Sequence, residues 1–486
     1  MMRAAVCAAA AGAVAFLVYM SFASSHEPAA GPKPITGNVR DHGAKGDGTA
    51  DDTEAIQAAV NARAGLVHFP PGVYRITKPI VVNLDKVGIC SIHGGGVARV
   101  IMAGEGPAFS FFGTHGGTAQ PASVKNNVWS RERMPTVDGI EFAGEHENAN
   151  GIEAVGTMKL TITRTLIRRC RHGVHLTTRN RNVLIADSHI YENRGIGVFM
   201  DHVNLHQINI VGSHISYNDG GGVVCIGGEV RNIQISGCDI EANHGKDGPP
   251  TANVLVDSTG GTNAEVAITG NTIQHTRNAP GSANIRIKGP SAPYPGTGEV
   301  RDGHVTITGN VMSDVKVNVH LDHARGVAIA GNTMWTGVEH NLLVEKSSNV
   351  VIGANNLDRN PRYWREEEKA ANAIMFRECS DCTISGLQVS GVRHAPAAFT
   401  LERCDRFNLN GVSILDCDGV GLELKDVTRS RIGGCLIRDD RPPAKSLSIR
   451  TSGGQDNAIT DNTFGRPAEI LKGVGLVERN FEPWKK

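Results

Sequence analysis

Apolar residues recur at every second position in short runs separated by glycine- and asparagine-rich turns. The segments Val183 to Ile190, Ile208 to Ile215, Ile233 to Ile240, Val266 to Ile273, Val305 to Met312 and Val327 to Met334 share one pattern: an alternating strand, a bend, then a second short strand. A Gly-containing turn and a third alternating strand follow, as in Gly173 to Leu176 and Asn318 to Leu321. The pattern continues through Val350 to Leu357, Cys382 to Val389, Phe407 to Ile414, Arg431 to Ile437 and Ala458 to Phe464, usually at a step of 22 to 27 residues. Alternation at period two marks strands with one buried face. Three such strands per repeat, no helix between them and a period shorter than a propeller blade predict an all-β parallel β-helix, a solenoid of about 11–13 coils. Each coil buries its apolar edges only by stacking on its neighbours, so equivalent positions lie about 4.8 Å apart along the axis.

That spacing lets ladders be read from the chain. The bend slot runs Ser188, Ser213, Cys238, Asn271, Asn310, Asn332, Asn355, then Leu387, Val412, Cys435 and Asn462. Asn suits it because it tolerates left-handed backbone and its amide can bond to the copies above and below. A second slot, before the third strand, carries Cys170, Asn193, Asn218, Asn243 and Cys417. Cysteine thus replaces Asn, Ser or Val at ladder sites, a structural use. Cys379 and Cys404 share a slot in successive coils, at a spacing that a disulfide could span.

The head of the chain breaks the pattern. Asn38 to Val60 reads as a strand and a Gly-rich turn running into a capped amphipathic helix, with Asp51 or Asp52 at its start, Ile56 and Val60 on one face and Gly65 at its stop. Such a helix would cover the open end of the stack. Ahead of it, Arg3 precedes an uncharged run from Ala4 to Ser25 that ends in a small-x-small pattern, the signature of a signal peptide or an uncleaved membrane anchor. The predicted organisation is 1–25 signal or anchor, 26–34 linker, 35–100 cap and first coils, 101–150 loop-rich insertion, 151–470 β-helix repeats and 471–486 C-terminal cap or tail. The folded part is therefore expected to be exported: secreted, periplasmic or at the cell surface.

Composition sharpens this picture. The 486 residues include 58 Gly against 13 Phe, 6 Tyr and 4 Trp, which disfavours a helical bundle. The length alone would suggest several domains, but the repeat makes it one solenoid. The 49 basic and 49 acidic side chains cancel, which argues against nucleic acid as the partner. Of the 10 cysteines, Cys379 and Cys382 form a lone C-x-x-C with no second pair to complete a zinc site.

The head segment, with His68-Phe-Pro-Pro-Gly-Val-Tyr-Arg75 after it, closely resembles the N-terminal signature of the pectate-lyase-like, single-stranded right-handed parallel β-helix superfamily. The motif covers residues 35 to 82, and the repeats cover about 155 to 465. The resemblance implies fold rather than one activity, since relatives include uronan lyases, polygalacturonase-like hydrolases, uronan C5-epimerases and phage tailspikes. It also implies a polysaccharide substrate on the outer face of the third strand of each coil.

On that face alternation predicts two outward columns: His175, Phe199, Val224, Leu255, Arg286, His320, Leu343, Met375, Thr400, Glu423, and Thr177, Asp201, Ile226, Asp257, Lys288, Asp322, Glu345, Arg377, Glu402, Lys425. Arg286, Lys288, His320 and Asp322 would form a compact square, the candidate catalytic group, with Asp257, Glu345 and Arg377 beside it for substrate. The longest insertions, His244 to Asn253, Thr276 to Asn284, Gly289 to His304 and Asn360 to Asn372, converge on the same coils and would wall the face. Tyr363 and Trp364 in the last of them either stack on sugar or anchor their loop. The apolar run Phe199, Val224 and Leu255 would suit packing on another subunit or cover by the loop at 105–135.

β-Elimination on a uronic polysaccharide needs a cation for the sugar carboxylate, a base for the C5 proton and an acid for the leaving oxygen. Arg286 would neutralise, Lys288, its pKa lowered by the like charge, would act as base, and His320 is an alternative base or acid. C5-epimerisation begins with the same proton abstraction. Asp257, Asp322 and Glu345 could instead hold calcium, though no cofactor is required. A hydrolase reading rests on similarity of Asn284 to Lys288 to the Arg-x-Lys element of polygalacturonases, with His244-Gly245 and Asp219 nearby as substrate contacts. Its acidic pair is incomplete, because Arg194 stands where a second carboxylate belongs. A non-catalytic glycan-binding or structural β-helix is the remaining alternative, since alternating outward charges are commonly surface ion pairs. The recurrent pairs Asp201-His202 and Asp322-His323 are reminiscent of epimerase motifs, without the flanking Tyr and Pro.

Overall fold

The computed structural model describes residues 37–363, 365, 368–442 and 445–483. Strands of successive coils pair in parallel and wind into a right-handed solenoid with three sheets. In the first sheet Val183 pairs with Ile208, then Ile233, Val266, Val305, Val327 and Val350 follow in register. The second sheet stacks Ile190, Ile215, Ile240, Ile273, Met312, Met334 and Leu357. The third stacks Leu176, Met200, Cys225, Val256, Ile287, Leu321, Val344 and Phe376. All of these side chains are buried, so the core is three apolar columns. Each large aliphatic side chain in them contributes about 1.5–3 kcal/mol by leaving water.

Two asparagine ladders brace the corners. At the bend between first and second strands, Asn271 Nδ2 donates to Asn310 Oδ1 (3.0 Å), Asn310 to Asn332 (3.0 Å) and Asn332 to Asn355 (2.9 Å). The left-handed residue is not the asparagine but the one before it: Gly270, Gly309 and Gly331 have φ of 66°, 69° and 68°. The expected backbone reason for Asn is thus corrected; glycine supplies the turn and Asn supplies the ladder. Before the third strand, Asn193, Asn218, Asn243, Asn253, Asn284, Asn318 and Asn341 bond in sequence at 2.7–2.9 Å. Between Asn243 and Asn253 this ladder crosses a whole insertion, moving from the turn onto the strand Ala252–Asp257 without losing a bond. The 244–251 loop is therefore extruded while the stack stays continuous.

The N-terminal helix α1 (Thr53–Asn61) buries Ile56, Ala59 and Val60 in the same core. Asp51 Oδ1 accepts from Thr53 N at 3.0 Å, whereas the Asp52 carboxylate turns back onto Lys45 N (2.6 Å) and Gly46 N (3.0 Å). Residues 101–150 are not mainly an insertion. Three rungs, Ile80–Asn83, Gly106–Phe112 and Ala149–Val155, extend the third sheet N-terminal to residue 151. The repeat signature is hidden there because a glycine bulge at Gly94 to Gly96 shifts the register between His93 and Ala98, and no ladder asparagine marks the bends. The irregular chain is confined to 113–135. It is pinned by the buried Glu132 carboxylate to Thr114 N (2.7 Å) and by Arg131 Nε to Asp85 O (2.9 Å). Part of the expected tail is also strand, since Gly475–Glu478 pairs with Asn457–Thr460.

The nine described cysteines are buried free thiols, Cys379 and Cys404 among them. The signal or anchor segment and the linker lie outside the described residues. No helix among the described residues is long and apolar enough to cross a membrane.

Candidate functional site

The two predicted columns on the third sheet are in register throughout, from His175 beside Phe199 to Glu402 beside Lys425. Arg286 pairs with His320 and Lys288 with Asp322 across neighbouring strands, so the square forms, with Asp257 one coil before and Glu345 and Arg377 after.

The side chains, however, connect in a way that the sequence did not disclose. Arg286 Nε donates to His320 Nδ1 at 3.0 Å, and its other nitrogens donate to Thr251 O (3.0 Å) and Gly281 O (2.7 Å). Arginine has only donors, so His320 Nδ1 must be the acceptor and Nε2 must carry the proton. That Nε2 faces Glu345 Oε2 at 3.3 Å, and Glu345 Oε1 accepts from Arg377 NH1 at 3.2 Å. The result is one hydrogen-bonded row, Arg286 to His320 to Glu345 to Arg377, spanning four coils. Burial, and then the Arg286 charge, push the His320 pKa down against the pull of Glu345, which agrees with a neutral ring. Burial also lowers the pKa of Arg286.

Three of the five Arg286 N–H groups donate to the protein, and the one on Nε positions His320. The like-charge contact meant to make Lys288 a base is replaced by an ion pair, with Lys288 Nζ 3.1 Å from Asp257 Oδ2. Beside the row Lys288 and Arg377 remain partly open on the face, with about two fifths of each side chain exposed. In the second column Lys288, Asp322, Glu345 and Arg377 follow one another, two carboxylates between two cations.

Asp257 Oδ1 accepts from Thr259 N at 2.9 Å, and Asp322 Oδ1 meets His323 Nδ1 at 2.6 Å. With Glu345 already held by His320 and Arg377, each carboxylate proposed for calcium has a protein partner. Among the described residues no three His, Cys, Asp or Glu side chains converge as a metal site.

Other expected contacts lie elsewhere. Asp219 sits against Gly245, its pKa raised by partial burial, and His244 is buried one residue before that glycine. Neither belongs to the row. Tyr363 stacks on Trp335, with ring centroids 6.0 Å apart and planes 16° apart, so it anchors its loop. Trp364 lies outside the described residues. The 113–135 segment reaches Asp85, Lys159 and Arg179 rather than the apolar run. Val224 is buried, its side chain close against Gly221.

The same face carries a second polar centre, around the Asp201-His202 pair. His175 Nε2 meets Asp201 Oδ2 at 3.1 Å, and His202 Nδ1 meets Asp201 Oδ1 at 2.7 Å. Glu153 Oε2 approaches His175 Nδ1 at 3.9 Å, and Phe199 stacks on the His175 ring at 5.2 Å and 7°. His172 lies beside both rings; burial first, then the His175 and Arg171 charges, hold its pKa at about 4. The legible signal was the Asp-His pair at one repeat slot. His202 (φ 46°), within the strand Ile196–Val211, and His323 (φ 52°), just after Val315–Asp322, both take left-handed backbone, and each ring meets its own aspartate.

Residues 36–275 match the family model of rhamnogalacturonase A/epimerase, pectate lyase-like proteins, and residues 252–475 match that of periplasmic copper-binding protein NosD. Alginate lyase 7 of Azotobacter vinelandii is 54% identical over 44 residues, 8% of this chain and 5% of that protein. Mannuronan C5-epimerase AlgE1 of the same organism is 26% identical over 219 residues, 33% of this chain and 16% of that protein. The matches thus span a small part of those relatives' length. Among solved structures, the A-module of mannuronan C-5 epimerase AlgE4 from A. vinelandii aligns over 92% of this chain and 98% of its own, at 15% identity and a TM-score of 0.37. With its coiled three-sheet architecture and the match over 36–275, the chain belongs to the pectate-lyase-like right-handed parallel β-helix superfamily.

Proposed function

We propose that the chain is an exported enzyme acting on an acidic, uronic polysaccharide along the outer face of the third sheet. The reaction is proton abstraction at C5, leading to β-elimination or C5-epimerisation. The observation that carries this reading is the Arg286–His320–Glu345–Arg377 row beside Lys288. Lys288 and Arg377 neutralise the sugar carboxylate, which makes the C5 proton more acidic and stabilises the enolate-like charge that follows. Glu345 is the base: its two oxygens each hold one hydrogen bond, and their remaining lone pairs take the proton. Neutral His320 and Arg286 orient it. In elimination the C4–O bond then breaks and a proton reaches the leaving oxygen, for which the Lys288 ammonium is placed; in epimerisation a proton returns to C5 from the opposite face. No step passes through calcium. The matched lyase and epimerase support this chemistry by their names.

The test is a panel of uronans and neutral glycans read by ultraviolet absorbance for unsaturated ends, by reducing-end release and by C5 proton exchange in deuterated water. Unsaturated ends or exchange are expected; activity that survives in both Lys288→Ala and His320→Ala refutes the assignment. New reducing ends without unsaturation would favour hydrolysis, and binding without turnover would favour a glycan-binding module.

A second reading places the proton transfer at Glu153, His175, Asp201 and His202. It is favoured by one observation: the epimerase-type family match ends at residue 275 and so includes this centre but not the Arg286 row. Loss of activity in His175→Ala with retention in Lys288→Ala would select it.

A further inference from the structure

The insertions before the third-sheet strands Ala252–Asp257 and Ala283–Lys288 line a separate recess, apart from the Arg286 row. Its volume is about 420 Å³, and His244, Lys246, His275, Arg277 and Asp314 supply its titratable walls. His244 is only 7% exposed, and neither ring nitrogen is in hydrogen-bonding geometry with a protein group, although the Gly248 and Pro249 backbone passes beside it. A buried imidazole whose nitrogens have only loosely placed backbone neighbours, at Gly248 and Pro249, keeps hydrogen-bonding capacity for a ligand.

The charges around it point to the ligand's sign. Lys246 makes no ion pair among the described residues, and Arg277 NH1 reaches Asp314 Oδ1 only at 4.0 Å. His275 lies 3.4 Å from Glu241 Oε2 and 4.0 Å from Asp314 Oδ2. In the lining Lys246 and Arg277 face one carboxylate, Asp314, while Glu241 is taken up by His275; with the neutral His244 ring beside them the two cations make a donor set suited to charge-assisted bonds with an oxyanion. The recess is also tied to the row. Arg286 bonds to Thr251 O and Gly281 O, at the inner ends of the two loops, and its charge is felt at His244.

We propose that this recess is an oxyanion subsite that receives the carboxylate or sulfate ester of a sugar unit neighbouring the one on the Arg286–Glu345 row. The identity of the ligand rests on the polysaccharide reading; the anion site itself does not.

The probe is inorganic sulfate, titrated calorimetrically into the full chain at constant ionic strength against chloride. Saturable binding is expected, weakened about tenfold in the Lys246→Gln/Arg277→Gln double variant and retained in Lys288→Ala. Both substituted residues lie on extruded loops outside the core, so the variant folds. Absence of saturable binding, or binding that the double variant keeps, overturns the proposal. Competition then identifies the source: displacement of sulfate by an oligouronate assigns a carboxylate, and displacement by a sulfated neutral oligosaccharide assigns an ester. Displacement by neither overturns the subsite. Because Lys288→Ala abolishes turnover under the functional reading yet leaves sulfate bound, failure of one reading is distinguishable from failure of the other.

Discussion

His172 makes the chain acid-sensitive in a way that can be worked from its surroundings. Its Nδ1 accepts from Ile196 N at 3.1 Å, a bond that only the unprotonated nitrogen can make, and its pKa is held at about 4 instead of 6.5. The folded pKa is depressed, so the unfolded chain binds the proton more tightly. Stability from this residue is therefore complete above pH 6.5 and falls as pH drops towards 4. With those two values the loss is about 2 kcal/mol at pH 5 and about 3 kcal/mol at pH 4. The ring is not wholly enclosed, and solvent screening trims both figures, to about 1 kcal/mol at pH 5 and about 1–2 kcal/mol at pH 4. In His172→Asn the side-chain oxygen can still accept from Ile196 N while the titration disappears. The smaller side chain costs some stability at every pH, which a comparison between pH values cancels. Urea unfolding of wild type and variant at pH 7, 5.5 and 4.5 measures the double difference. The variant should lose less stability on acidification than the wild type. His320, His244 and His340, whose pKa values burial also lowers, leave a residual loss in both. Parallel pH profiles for the two proteins would refute the argument.

Other outcomes follow from the row and the ladders. Glu345→Gln should lower kcat by about 10²–10⁴-fold with a smaller change in KM, measured on whichever uronan is turned over; an unchanged kcat removes Glu345 as base. Arg286→Lys loses the fixed fork, so histidine-selective NMR should report a changed His320 tautomer population together with reduced kcat; an unchanged tautomer would leave Arg286 without its positioning role. Asn310→Ala strips the acceptor from Asn271 and the donor from Ile268 O, and should destabilise the chain by roughly 2–4 kcal/mol in urea unfolding, whereas a change within 0.5 kcal/mol would mean the ladder is dispensable. Activity measured with and without a chelator should not differ; a loss restored by calcium would show that the carboxylates rearrange to bind it.

The columns of the third sheet were legible because a parallel stack leaves register little freedom. A one-residue slip would turn Ile285 and Ile287 out and Arg286 in, so alternation alone assigns the faces. Partner choice was not legible, because a long side chain on that face can reach several neighbours. Arg286 could have met Lys288, Asp257 or His320, and backbone carbonyls of two loops decided it. The first rungs were missed for a different reason. At Gly94 to Gly96 the chain bulges and the marks of a bend vanish, while the Phe109 and Phe111 core positions persist without a repeat to reveal them.

The asparagine ladder that steps from Asn243 to Asn253 gives the molecule an unusual division of labour. Because the stack closes beneath the loop, the loop's length and composition carry almost no penalty for the coils on either side. The residues between the buried His244 and Thr251, whose carbonyl holds Arg286, are thus open to drift, lengthening or exchange while the rail under them holds its pitch. A protein built this way can change what it recognises by trading one extruded segment for another, with the strand that presents Asp257 left where it was.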